Sequence, residues 1–165
     1  MSSIESAVAA VIQDPAGRIL MCQQSQGHRL WGLPGGTINR GESPLHAVVR
    51  DVRQETGTDV EIVDLLGMYQ LTGDGCGEGL PDVLVYVFRA DLNGEATLNA
   101  PGRIRRLAWQ DPHDLPKPVT ATTVTALADM ASGRSGVLRV VERYAEPEVP
   151  DAVETAAAPV LTSAA

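Results

Sequence analysis

The sequence predicts a single α/β domain with a mixed β-sheet between helices, and three observations predict it. Runs rich in β-branched and aliphatic residues alternate with segments of helical periodicity. One of those helical segments carries both a start and a stop signal in its own chemistry. The length of 165 residues suffices for one substantial core and is too short for two ordinary domains.

The elements follow in order. Residues 6–12 alternate small and apolar side chains, Asp14-Pro15-Ala16-Gly17 is a turn, and residues 18–23 resume a strand, so the three together read as a β-hairpin. A glycine-rich turn, Trp31-Gly32-Leu33-Pro34-Gly35-Gly36, comes next. Ser43 is a good N-cap, and Pro44 suits the first helical position, where its missing N–H costs nothing. Leu45, Val48, Val49 and Val52 then form an apolar stripe, while Asp51, Gln54 and Glu55 lie one turn apart on a face that displays oxygen atoms. Gly57 stands where a left-handed C-cap is expected. Residues 60–71 and 83–90 read as strands, with Tyr69, Tyr86 and Phe88 as packing aromatics, and residues 105–110 as another. Residues 111–116 form a turn or short helix and 121–131 a regular helix. The domain is placed at residues 1–145 with its core at about 4–133, and residues 146–165, rich in Pro, Ala and acid, are expected to be a disordered tail.

The formal net charge of −8 disfavours nucleic acid polymers and anionic membrane surfaces as partners. A small phosphorylated, nucleotide-like substrate remains compatible, because a metal ion and a few basic residues reverse the field inside one cleft. Arg29, Arg40, Arg50 and Arg103 are the candidates. Cys22 and Cys76 show neither disulfide nor zinc spacing and are expected as reduced thiols, and His28, His46 and His113 are scattered. The absence of a long apolar run or a signal-like N-terminus favours a cytoplasmic protein. Oligomeric state is open, a homodimer included.

An acidic face on an amphipathic helix is ordinarily solvated surface; here the fixed spacing around it decides otherwise. Gly36 is followed after five residues by Glu42 and, after seven more, by Arg50, Asp51, Val52, Gln54, Glu55, Gly57 and Thr58. This resembles the signature of the MutT-like Nudix hydrolases, in which a glycine and a glutamate precede Arg-Glu-aliphatic-any-Glu-Glu-any-Gly-aliphatic, and residues 31–36 resemble its usual lead-in. The resemblance implies an α/β/α sandwich over roughly residues 4–133. It also implies cleavage, dependent on Mg²⁺ or Mn²⁺, of a phosphoanhydride in a nucleoside diphosphate linked to another moiety. The implied metal ligands are Gly36 through its carbonyl, Asp51, Gln54 and Glu55, and the implied catalytic residues are Arg50, Asp51 and Glu55. Arg29, Gly35, Gly36 and Glu42 are the substrate-side candidates.

The chain departs from the signature at three positions. Asp51 keeps the charge of the family's glutamate but reaches about 1.5 Å less. Gln54 replaces a carboxylate by a neutral amide, a weaker ligand. Thr58 for an aliphatic residue is mild. The resemblance also implies a further glutamate before a later strand, yet residues 99–109 contain no acid and Arg103 stands in its place. Asp74, Glu78 and Asp82 are alternative acidic donors. The retained Arg50, Asp51, Glu55 and glycine turn favour the enzyme, whereas Gln54 and the acid-free residues 99–109 favour a second function class, a nucleotide or nucleotide-sugar binding protein without useful turnover.

Overall fold

The turn at Asp14 sends the chain into two different sheets. In the computed structural model, which describes residues 4–74 and 79–144, β1 (Glu5–Ile12) and β2 (Ile19–Gln24) do not pair as the expected hairpin. Between their ends lie an isolated bridge, Gln13 to Ile19, and the bonds between Asp14 and Arg18 that close the turn. Asp14 Oδ1 accepts from the amides of Ala16 at 3.0 Å and Arg18 at 2.8 Å, so the turn itself forms as its residues dictate. The hairpin fails because both edges of each strand are taken by later segments. β1 pairs antiparallel with β4 (Gly35–Thr37) and parallel with β6 (Val83–Leu92). β2 pairs with β3 (Trp31–Gly32) and with β7 (Ile104–Gln110).

The larger sheet runs β4-β1-β6-β5-β8, with β5 at Val60–Thr72 and β8 at Val137–Glu142, and mixes parallel with antiparallel pairs. Alternation along β1 shows how the layers stack. Val8, Ala10 and Ile12 pack with Ala47, Val48 and Val52 of α1 (Pro44–Thr56). Ala9 and Val11 pack with Ala121, Ala126 and Leu127 of α2 (Ala121–Ala131). One helix therefore covers each face, which makes the α/β/α sandwich. Trp31, Tyr69 and Phe88 are buried in these two cores.

The caps of α1 act as the sequence predicts: Ser43 Oγ accepts from the His46 amide at 3.1 Å, and Gly57 takes φ +69°. Its apolar stripe needs correction. Leu45 is 53% exposed and Val49 half-buried, while Ala47 joins Val48 and Val52 in the core. Asp51 and Glu55 are also buried, so the oxygen-bearing face is turned towards protein and not towards solvent. Only Gln54 of that trio is exposed.

β3, β4 and β8 were not expected as strands. The first two are short and glycine-rich, and β8 is an edge strand whose Leu138 and Val140 face outwards, so neither group carries a clear period-two signal. β8 is held by its parallel pairing with β5, by the buried Val141 and by charge: the buried Asp129 of α2 accepts from Arg139 Nε and Nη2, both at 2.7 Å, and from Tyr69 Oη at 3.0 Å. The bond from Arg139, aided by that from Tyr69, outweighs burial and keeps the Asp129 carboxyl below the usual aspartate range. Cys76, Glu78 and the expected tail at 146–165 lie outside the described residues.

Candidate metal and phosphate site

Helical geometry brings Asp51 and Glu55 onto one line, and α1 presses that line against β4. Gly35 is indispensable to this approach, because a Cβ there would collide with the Val8 carbonyl of β1. At Gly36 the constraint comes from side chains and not from backbone: a Cβ there would strike the Arg103 guanidinium and come 2.8 Å from Asp51 Oδ2. The two glycines thus leave a cradle into which both carboxylates reach.

Each carboxylate is held from behind. Glu55 Oε2 accepts from the Gly35 amide at 3.2 Å and from the Cys22 thiol at 3.5 Å. Burial pushes Glu55 up to about 7 from 4.5, with Arg103 and the Gly35 amide opposing and Asp51 adding to the rise. Burial, reinforced by Glu55, pushes the Cys22 thiol well above its ordinary range, so it remains protonated and able to donate. Asp51 Oδ1 accepts from Arg50 Nη2 at 3.1 Å. Arg50 is itself anchored on Glu42 and on the Thr37 carbonyl at 3.1 Å. Burial of Glu42 is outweighed by the Asn39 amide, Arg50 and His46, which hold its carboxyl below the usual glutamate range.

The remaining oxygen, Asp51 Oδ2, is buried with no hydrogen-bond partner among the described residues. Arg50 and Arg103 reach only the other oxygen of this carboxylate, so an anionic Oδ2 left without a hydrogen bond beside a backbone cradle fits a cation. The donors around it are hard oxygens, which suit Mg²⁺ or Mn²⁺. No group of three or more His, Cys, Asp or Glu gathers there among the described residues. Mg²⁺ is nonetheless commonly held by one or two carboxylates together with substrate phosphates and waters.

Arg103 is delivered by the loop before β7. That loop docks on the exposed carbonyls that end α1: the Thr97 amide donates to Thr56 O at 2.9 Å, the Asn99 amide to Glu55 O at 3.1 Å and Asn99 Nδ2 to Gln54 O at 3.0 Å. Arg103 Nη2 then meets Gly35 O at 3.0 Å and Glu55 Oε1 at 3.5 Å, and Nη1 meets Gln54 Oε1 at 3.3 Å and Asp51 Oδ1 at 3.4 Å. The carbonyl facing this cation is that of Gly35, one residue before the Gly36 carbonyl that the signature implies.

Of the residues singled out from the sequence, Gly35, Gly36, Glu42, Arg50, Asp51, Gln54 and Glu55 converge here. Arg29 sits in the exposed loop before β3 with φ +51°, and its backbone carbonyl accepts from Gln23 Nε2 at 3.1 Å. Asp82 is engaged by Gln70 Nε2 at 3.1 Å, and Asp74 is exposed. Cys22 was not expected in the site, and no spacing signal in the sequence links it to Glu55.

A cavity of about 410 Å³ opens beside Glu55 and Arg103, walled by Leu30, Leu33, Leu71 and Val83. A larger depression of about 1100 Å³ is lined by none of the signature residues, and its arginines are already paired, Arg18 with Asp14 and Arg89 with Asp64. The smaller cavity is therefore the one that matters for chemistry on α1.

Two helices flanking a mixed sheet, with a glycine cradle set against helical carboxylates, define a Nudix-type domain. A family model described as the NUDIX domain matches residues 4–130, and the chain belongs to that family. It is 28% identical over 126 residues to a MutT-like protein of Streptomyces ambofaciens, covering 76% of each. A shorter match, 35% over 63 residues, is to an RNA pyrophosphohydrolase of Psychrobacter cryohalolentis and covers 38% of this chain and 36% of that protein. The crystal structure of a MutT Nudix hydrolase from Burkholderia pseudomallei superposes with a TM-score of 0.70 at 28% identity, over 77% of this chain and 98% of that one. Membership in this family supports pyrophosphohydrolase chemistry in general. No helix among the described residues is long and apolar enough to cross a membrane.

Proposed function

We propose that this chain is a divalent-metal-dependent pyrophosphohydrolase that cleaves the phosphoanhydride of a small nucleoside diphosphate linked to another moiety. The observation that carries the proposal is the pair of buried carboxylates, Asp51 and Glu55, with Asp51 Oδ2 unpartnered against the Gly36 cradle.

Asp51 and Glu55, with the Gln54 amide oxygen and the Gly35 carbonyl beside them, would hold the ion. Bound Mg²⁺ or Mn²⁺ neutralises phosphate oxygens and lowers the pKa of an attacking water. Arg50 fixes the orientation of Asp51 through its own anchor on Glu42. Glu55, the buried carboxylate nearest the cavity, would take the proton of that water. The aliphatic wall of the neighbouring cavity would take the uncharged part of the substrate. The size of this cavity and its aliphatic wall fit a small molecule, and the net charge of −8 disfavours a nucleic acid polymer or an anionic membrane.

A panel of nucleoside triphosphates, dinucleoside polyphosphates, ADP-ribose and nucleotide-sugars, assayed with Mg²⁺ and Mn²⁺, tests the reading. Turnover of at least one diphosphate is expected, and Gln54→Glu, which restores an anionic ligand, is expected to preserve or raise it. A second reading, binding of a nucleotide or nucleotide-sugar without turnover, is favoured by the guanidinium of Arg103 standing among the ligand oxygens. Binding across the panel with no hydrolysis under either ion selects that second reading.

A further inference from the structure

We propose that Arg103 and the divalent cation compete for one seat, so that the guanidinium closes the site until metal displaces it; this rests on the metal-dependent reading above. Four oxygens from four residues converge on that one side chain: Gly35 O, Asp51 Oδ1, Gln54 Oε1 and Glu55 Oε1. Asp51, Gln54 and Glu55 are the residues that would ligate the ion: Arg103 meets Asp51 through Oδ1, on the same carboxylate as the unpartnered Oδ2, and its Nη2 crowds the same Gly36 position that Oδ2 approaches. Two cations cannot share them, because both need the lone pairs that face the Gly36 cradle, and a guanidinium beside a divalent ion is repelled at this distance.

The way Arg103 is seated argues that it leaves. Charge-assisted N–H to carboxylate bonds are ordinarily about 2.7–2.9 Å long and often bidentate. Here the contacts to Asp51 and Glu55 are 3.4 and 3.5 Å, and neither carboxylate is gripped by a parallel fork. The Arg103 side chain is 43% exposed, whereas those of Asp51 and Glu55 are 1% and 3% exposed. The carboxylates are fixed by α1 and β4, whereas the arginine backbone is held beside β7 and its long side chain is free to swing about it. It also lines the cavity beside Glu55, so a displaced guanidinium has an open, solvent-connected space to enter. In its present position Arg103 supplies the positive charge without which two buried carboxylates one turn apart would destabilise the fold.

The test is a Mn²⁺ titration of the full chain, read by loss of the free-ion electron paramagnetic resonance signal, for wild type, Arg103→Gln and Arg103→Lys. Metal-free thermal unfolding is measured alongside. Arg103→Gln is expected to bind Mn²⁺ at least about tenfold more tightly than wild type. Its unfolding temperature is expected to be lower without metal and to rise more on adding Mn²⁺. Arg103→Lys, which keeps the charge but loses the planar fork, is expected to fall between them and serves if the glutamine variant does not fold. Equal or weaker Mn²⁺ affinity in the variants overturns the competition and leaves the metal-dependent reading intact. No Mn²⁺ binding to any of the three proteins overturns both.

Discussion

Glu55→Gln is expected to lower hydrolysis about 10²–10⁴-fold, the range lost when a positioned acid–base group is removed. The substitution keeps the shape of the side chain and an oxygen able to accept from the Gly35 amide and the Cys22 thiol. It removes the charge that holds the ion and the site that takes the proton of water. Stability serves as the control. Burial sets Glu55 at about 7 in the fold against an ordinary 4.5, so the stability associated with its neutral form is complete below about pH 4.5 and is lost as pH rises through 7. Glutamine is neutral throughout. The metal-free variant is therefore expected to show a flatter stability profile than wild type between those pH values, checked by thermal unfolding in chelator. Lost activity together with reduced stability at pH 8 would mean that Glu55 is structural and that the chemistry lies elsewhere.

Gly35→Ala is expected to cost about 3 kcal/mol or more, at or beyond the upper end of ordinary overpacking. Its Cβ would collide with the Val8 carbonyl and come 2.8 Å from Ala9 Cα and 2.9 Å from the Val8 carbonyl carbon. These are backbone atoms, and β1 cannot step aside because β4 and β6 hold both its edges. A residue with φ +158° also has no comfortable alternative for an L side chain. The strain falls on the amide that supports Glu55 and on the carbonyl that faces Arg103, so metal affinity is expected to fall with stability. Urea unfolding of Gly35→Ala beside Gly102→Ala measures this. A Cβ at Gly102 meets nothing within 4 Å, and that variant is expected to match wild type.

What the sequence revealed was local in origin. The ends of α1 are written in Ser43, Pro44 and Gly57, whose effects depend on neighbours within one turn, and the long strands β5 and β6 carry their own apolar patterns. The partition of β1 and β2 into separate sheets was not legible, because it depends on β6 and β7, more than sixty residues downstream. The outward-facing Leu138 and Val140 masked β8. In the site, periodicity placed Asp51 and Glu55 on one line but could not say what that line packs against. Their burial follows from β4, whose glycines let the helix approach. The sequence likewise showed an arginine where an acid was implied, whereas its position among the ligand oxygens is a property of the loop folded onto the end of α1.

The most direct test of the central claim is anomalous scattering from crystals grown with Mn²⁺ and a non-hydrolysable nucleoside diphosphate derivative. The account predicts a manganese peak ligated by Asp51 and Glu55 beside the Gly35–Gly36 bend, with the Arg103 guanidinium moved off those oxygens. Nucleotide bound in the cavity, no manganese peak and Arg103 still lodged between the two carboxylates would contradict it.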